Sequence, residues 1–152
     1  MTRVSAFKLV TRELCFVTLE GDKVSPELIT HDVIPFPLSL DPPTFTDWAE
    51  TKFGLLLDQV SPNQIIYKLS NGLQRNEQIF HIYYGLGILN LVAKKKNINI
   101  RHISPSSIRP KAFGLKKTDD VDMYIQSLFS NPGSPWNKNI REAVAIAILG
   151  MY

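Results

Sequence analysis

The sequence predicts an α/β domain built on a mixed five-stranded sheet with helices on its faces. Two patterns support this prediction: strand-like runs joined by tight turns fill the first 35 residues, and alternating strand and helix patterns fill the rest. The third observation is size. A chain of 152 residues, 44% of them hydrophobic, can bury a sizeable core without disulfides or metals. We therefore expect one domain spanning residues 1–152.

The opening part of the chain is typical of three consecutive strands. The runs are RVSAFKL, LCFVTLEG and, after a turn signal at Gly21 and Asp22, KVSPELITHDVIPF. Connections this short cannot cross over the sheet, so the three strands must form an antiparallel meander. The single cysteine, Cys15, lies in the second run, where it is expected to be a small buried residue rather than part of a disulfide or zinc site.

Helices and strands alternate after a proline-rich loop. The order is a helix over TFTDWAETKFGLLLDQV, a strand over QIIYKLS, a long helix over NEQIFHIYYGLGILNLVAKKK and a strand over NINIRHI. Thr44 or Thr46 is the expected cap of the first helix. Gly85 and Gly87, in the middle of the long helix, predict the close approach of another backbone. Strands separated by helices are expected to run parallel.

Two helices are predicted after the fifth strand and the loop SPSSIRPKAFGLKK. The first covers TDDVDMYIQSLF with Thr118 as its cap, and a helix dipole explains aspartates in its first turn. The last covers NIREAVAIAILGMY and is apolar nearly all round after Glu142. We expect the middle of this helix to be buried.

Positive charge is concentrated in one segment. Of 17 Lys and Arg residues, 8 lie between Lys94 and Lys117, where no Asp or Glu occurs. This asymmetry suggests an anionic partner, with a solvated face as the alternative. Phe113 would either stack on a base or anchor its loop in the core. The candidate nucleic-acid contacts, of the types that reach phosphate and sugar, are Ser106, Ser107, Arg109, Lys111, Lys116 and Lys117.

The C-terminal half carries two motifs of a known family. The loop Pro105-Ser106-Ser107-Ile108-Arg109 follows a strand and fits the pattern P-S-x-[VI]-[KR], and the last helix, with AVAIAI, is similar to D-x-x-D-A-x-A-I-A. With the helix YYGLGIL, these features resemble RuvC-type Holliday-junction resolvases of the RNase H-like superfamily. Over residues 1–60 only the strand order supports the resemblance. It implies an RNase H-like fold with the element order β-β-β-α-β-α-β-α-α.

The resemblance also implies a two-metal phosphodiesterase whose Mg²⁺ ions are held by carboxylates. The family places one acid on the first strand, one at the end of the fourth strand, and two on the last helix. The matching positions here are Lys8, Lys68, Asn139 and Glu142, so only Glu142 keeps a carboxylate. Shifting the alignment of either strand by several residues still brings no Asp or Glu to the matching position.

The leading hypothesis is a catalytically inactive RuvC-like domain that acts by binding and needs no cofactor. Its partner would be DNA or RNA, contacted through residues 94–117, or a protein. Lys8 and Lys68 would repel Mg²⁺ and form ion pairs with Glu142. Such a cluster could be a converted pocket that binds an anion, or it could simply fill the space.

Two other functions stay open. One is a divergent Mg²⁺-dependent nuclease whose site is rebuilt from Glu142, Glu13 and the aspartates at 119–122. The other is a structural subunit of a larger assembly, with an exposed apolar patch. The resemblance also implies a homodimer, for which the helix with Tyr83 and Tyr84 is a candidate surface. The sequence has no signal-peptide or membrane-spanning run, so a cytoplasmic location without a membrane partner is expected.

Overall fold

The computed structural model describes residues 2–69 and 79–151, and its centre is one five-stranded sheet. Across the sheet the strands lie in the order β3-β2-β1-β4-β5. β1 is antiparallel to β2, β2 is antiparallel to β3, and β4 is parallel to both β1 and β5. This confirms the predicted mixed sheet. The strands are β1 (Thr2–Leu9), β2 (Glu13–Gly21), β3 (Pro26–Pro35), β4 (Gln64–Lys68) and β5 (Asn99–Ile103).

Helices cover both faces of the sheet. α1 and α2 pack together on one face, while α4 packs on the other face against β1, β2 and β4, with α3 beside it. Two short 3₁₀ turns, Pro105–Ser107 and Pro110–Phe113, lie in the loop after β5. The helices are α1 (Pro42–Val60), α2 (Phe80–Lys95), α3 (Val121–Leu128) and α4 (Lys138–Leu149). In the part of the chain that the structure describes, no helix is long and apolar enough to cross a membrane.

The alternation of side chains along β1 divides the core into two layers. Phe7 and Leu9 lie in the layer under α1 and α2, whereas Val4 and Ala6 lie in the layer under α4. The residues of α4 from 143 to 148 are all buried, which confirms the prediction for this helix. Cys15 is a free, fully buried thiol in the α4 layer, as expected.

The predicted cap of α1 is wrong. Asp41 is the N-cap, because its side chain accepts a hydrogen bond from the backbone N–H of Thr44 at 2.9 Å. Pro42 and Pro43 open the helix, where their missing N–H groups have no intrahelical acceptor to lose. Thr44 and Thr46 therefore lie inside the first turns.

The predicted cap of α3 is also wrong. Asp120, not Thr118, accepts hydrogen bonds from the N–H groups of Asp122 and Met123, at 2.8 and 3.3 Å. Asp119 instead accepts from the backbone N–H of Lys116 at 2.8 Å. Of the three aspartates, only Asp122 therefore lies in the first turn.

The glycines of α2 differ from each other. A Cβ at Gly85 would lie 2.6 Å from Cδ2 of Leu9, so the close neighbour is a side chain of β1 rather than the expected backbone. At Gly87 a Cβ would meet nothing within 4 Å, and there the prediction of a close approach is wrong. The start predicted for this helix, at 76–78, lies outside the described residues.

Candidate functional site

The structure brings together the four positions that the resemblance matched to metal-binding acids. Lys8 and Lys68 lie at the carboxyl ends of β1 and β4. The parallel register pairs Phe7 with Tyr67, so the two lysines occupy the next adjacent positions and project from the same face of the sheet. That face is the one covered by α4.

The two lysines share one carboxylate on α4. Lys8 Nζ donates to Glu142 Oε2 at 2.7 Å and to Asn139 Oδ1 at 2.8 Å. Lys68 Nζ donates to the other carboxylate oxygen, Glu142 Oε1. Asn139 and Glu142 are three residues apart on α4 and so face the strands together. We call these four residues the lysine–glutamate cluster.

The cluster is partly buried and carries a net charge of +1. The exposed fractions of the Lys8, Lys68 and Glu142 side chains are 12%, 19% and 25%. Burial acts to raise the pKa of Glu142, but the hydrogen bonds and positive charges of Lys68 and Lys8 outweigh it, so this pKa lies below its ordinary value. The carboxylate is therefore ionised at neutral pH and neutralises one of the two ammonium groups.

The arrangement does not fit a magnesium ion. Mg²⁺ requires several oxygen ligands, and here both oxygens of Glu142 already accept hydrogen bonds from cations. The positive charges of these two lysines would also repel a divalent cation from the same place. No metal-dependent step can be built on these residues.

The alternative metal site, rebuilt from relocated acids, is not formed. Within residues 2–69 and 79–151, no three His, Cys, Asp or Glu side chains come close enough to hold a metal ion. Asp122 is instead paired with Arg141 at 2.8 Å, and the hydrogen bond from that guanidinium lowers the pKa of Asp122.

Cys15, opposite Lys8 in the sheet, is no nucleophile, since burial and the charge of Glu13 raise its pKa to about 11.

The basic segment 94–117 is divided between opposite edges of the sheet. α2 runs back from the carboxyl end of β4, so its C-terminus lies at the amino edge of the parallel strands. There Lys95 pairs with Glu50 at 3.1 Å and Lys96 pairs with Asp58 at 2.5 Å. Acids of α1 thus neutralise part of the charge that the sequence analysis had grouped together.

The rest of the segment forms a loop at the carboxyl edge, after β5. Its four cations are exposed, and the structure gives them no ion pair with any described residue. Ser106 and Ser107 lie at the start of this loop, where both hydroxyls are within hydrogen-bond distance of Ser104 Oγ, at 2.9 and 3.2 Å. The four cations are Arg109, Lys111, Lys116 and Lys117, and we call residues 104–117 the basic loop.

Apolar anchors hold the basic loop against the α4 layer. Ile108 and Phe113 pack on that core, and the ring centroid of Phe113 lies 6.1 Å from that of Tyr124. Phe113 therefore anchors the loop. A cleft of about 130 Å³ is lined by residues of α3 and α4 and by Ile108 of the loop, with Lys138 and Glu142 among the α4 residues. One residue of the basic loop, Ile108, and one residue of the lysine–glutamate cluster, Glu142, therefore line the same cleft.

Two residues that the sequence analysis did not single out contribute to this region. Ser104 shares hydrogen bonds with the two candidate serines, and Lys138 lines the cleft beside Glu142. Ser104 could have been found as a third hydroxyl adjoining the Pro-Ser-Ser motif. Lys138 carried no such signal, because it lies far along the chain from the other basic residues.

Strand order and helix placement define a RuvC-like fold of the RNase H-like type. RuvC of Thermus thermophilus in complex with a Holliday junction substrate has a TM-score of 0.80 at 13% sequence identity, with 98% of this chain and 92% of that chain covered. Another Thermus thermophilus RuvC structure gives 0.79 at 14% identity, covering 97% and 92%. The yeast mitochondrial Holliday junction resolvase Ydc2 gives 0.74 at 14% identity, covering 97% and 77%.

These matches confirm the RuvC-like fold that the sequence motifs predicted. They are matches of fold, since their sequence identities are 13–14%. No protein-family model matches the chain, and no curated protein matches it significantly in sequence.

Proposed function

We propose that this protein is a catalytically inactive RuvC-like domain that binds nucleic acid. The observation that carries the proposal is the lysine–glutamate cluster, in which Lys8 and Lys68 each hold one oxygen of Glu142. Where the resemblance requires carboxylates to hold two metal ions, this chain has two cations and one neutralised acid. The family's two-metal mechanism of hydrolysis would therefore lack the metal ions on which it depends.

The basic loop supports the choice of a polyanion as partner. Its four cations are exposed and are not paired with acids of the described chain, and the same loop carries three serine hydroxyls. The loop follows the carboxyl end of a parallel strand, the edge at which open α/β sheets bind their ligands. Because the structurally similar Thermus thermophilus RuvC was solved with a Holliday junction substrate, a four-way DNA junction is the first ligand to test.

The test of inactivity is a cleavage assay on labelled junctions, flaps and hybrids with Mg²⁺ or Mn²⁺. We expect every substrate to survive, with Thermus thermophilus RuvC as the positive control. Glu142→Ala reports contamination, because a co-purifying nuclease would cut equally in both preparations. Metal-dependent cutting that is lost in Glu142→Ala would overturn the proposal.

The test of binding is fluorescence anisotropy with labelled junction, duplex and single strand at several salt concentrations. If about four loop cations meet phosphates, the logarithm of the binding constant should fall with the logarithm of salt at a slope of about −3 to −4 on duplex. Replacing Arg109 and Lys111 with Ala should weaken binding and make the slope shallower by about two units at most. No binding at about 50 mM salt by folded protein would eliminate the nucleic-acid function.

A protein partner or a second copy of the chain is the other candidate. Leu38, Tyr83 and Tyr84 are all exposed, and they line a shallow depression between the start of α2 and the loop before α1. Exposed aromatic residues grouped in this way are typical of interaction surfaces. A dimer in sedimentation velocity that Tyr83→Glu dissociates would support the homodimer. A cytoplasmic location stays a prediction.

A further inference from the structure

We infer that the lysine–glutamate cluster is itself a phosphate-binding site, in which two lysine ammonium groups hold a backbone phosphate without metal. This inference rests on the proposed function, because it names a contact that the bound nucleic acid would make. It assigns Lys8 and Lys68 to the same interface as the basic loop.

The first argument concerns hydrogen-bond donors. A lysine ammonium group has three N–H donors. Lys8 uses two, for Asn139 and Glu142, and Lys68 uses one, for Glu142. Among the described residues nothing else accepts from either group, which leaves three donors that these residues do not use. Phosphate oxygens are acceptors that suit them.

The second argument concerns charge. Two ammonium groups and one carboxylate leave a net charge of +1 in a partly buried place, where a charge interacts more strongly than in open solvent. If the lysines only filled space, a single lysine would have been enough to neutralise the charge of the one carboxylate. The second lysine is an excess cation that no acid among the described residues neutralises.

The third argument concerns position. The cluster lies at the carboxyl ends of β1 and β4, and β5, the next strand of the sheet, leads into the basic loop. Ile108 of the loop and Glu142 of the cluster line the same cleft, so the two regions are neighbours. One nucleic-acid strand could therefore contact the loop with some phosphates and the cluster with another.

The inference makes opposite predictions for the two signs of charge in the cluster. Lys8→Met removes an ammonium donor and should weaken binding of a four-way junction about 3- to 10-fold, with a salt slope shallower by about one unit. Glu142→Gln removes the negative charge beside the phosphate and should tighten binding by about 3- to 10-fold. A structural role alone would not tighten binding in any variant.

Matched controls exist at the opposite edge of the sheet. Lys95 and Glu50 form an ion pair at 3.1 Å, and Lys95 ends the helix that leads into the amino end of β5, whereas the basic loop follows the carboxyl end of β5. Lys95→Met and Glu50→Gln change the total charge of the protein by the same amounts as the two test variants. Both should alter junction affinity less than about twofold, because a charge more than a Debye length from the ligand is screened.

The experiment is anisotropy with the labelled four-way junction at about 100 mM salt in EDTA, below the melting temperature of each variant. Opposite shifts for Lys8→Met and Glu142→Gln, larger than those of the controls, would establish the site. If Glu142→Gln does not fold, Lys8→Met decides, because it keeps the Lys68–Glu142 pair.

Two results would overturn the inference and separate its failure from that of the proposed function. If Arg109→Ala with Lys111→Ala weakens binding while the cluster variants match their controls, the protein binds nucleic acid but not through the cluster. If the wild-type protein binds no junction, duplex or single strand, the proposed function fails and the inference fails with it.

Discussion

The replacement Glu142→Gln tests how much the lysine–glutamate cluster contributes to stability. The substitution keeps the size of the side chain but removes its charge. Lys8 and Lys68 are then left 12% and 19% exposed without a counter-ion. Burying an uncompensated charge is unfavourable, so the folded state must lose stability at neutral pH.

The magnitude follows from the degree of burial. Removing one partner of a fully buried ion pair costs about 3–5 kcal/mol. Since the Glu142 side chain keeps 25% exposure, and a glutamine can still accept one hydrogen bond, we expect a loss of about 2–3 kcal/mol in the free energy of unfolding. For a domain of 152 residues this lowers the melting temperature by roughly 5–10 °C.

Urea denaturation at pH 7, followed by circular dichroism, measures this loss. The matched control is Glu50→Gln, which breaks the exposed pair with Lys95 and should cost less than about 1 kcal/mol. Replacing Lys8, Lys68 and Glu142 together with Met should recover most of the stability, because apolar residues can replace a buried ion network without loss. A Glu142→Gln variant within about 0.5 kcal/mol of wild type would refute the reasoning.

Three further predictions concern pH, packing and metal. The pKa of Glu142 is lower in the folded protein than in the unfolded chain. The ionised carboxylate therefore stabilises the fold above the unfolded-state pKa, and this stabilisation is lost as the pH falls through the folded-state pKa. Below about pH 4.5, the urea midpoint should fall less steeply with pH in Glu142→Gln than in wild type. Gly85→Ala should destabilise by about 1–2 kcal/mol, because the new Cβ would lie 2.6 Å from a Leu9 methyl carbon, whereas Gly87→Ala should stabilise by up to about 1 kcal/mol in thermal melts. Calorimetric titration should show no Mg²⁺ or Mn²⁺ binding with a dissociation constant below about 1 mM. Tighter binding that Glu142→Gln abolishes would contradict the proposal that the domain is catalytically inactive.

The architecture was predictable because the apolar patterns of this chain are strong and local. The short apolar runs of β1 and β2 and the buried run in α4 placed these elements correctly, and short connections forced the antiparallel meander. Helix starts were less predictable. At α1 and α3, threonine and aspartate side chains compete to cap nearby N–H groups, and in both helices an aspartate provides the cap instead of the predicted threonine.

The sequence by itself, through its family resemblance, determined that lysines stand where the family has acids on two strands. The absence of acids on β1 and β4, with lysines in their place, is visible without any coordinates. Only the tertiary structure decided how these charges are paired. Lys8 and Glu142 are 134 residues apart, and their contact depends on the packing of α4 over the carboxyl ends of two parallel strands.

Tertiary structure also divided the basic segment, which is continuous in sequence, into two parts with different environments. β5 lies between these two parts and runs parallel to β4, from the amino to the carboxyl ends of the parallel strands. Lys95 and Lys96 therefore meet acids of α1 at the amino edge, while Arg109 and Lys111 stay exposed at the carboxyl edge. The sequence alone shows how many charged residues each segment of the chain contains. The electrostatic field of a folded domain depends on which distant side chains the fold places within a few ångströms, and local pattern carries no information about those distances.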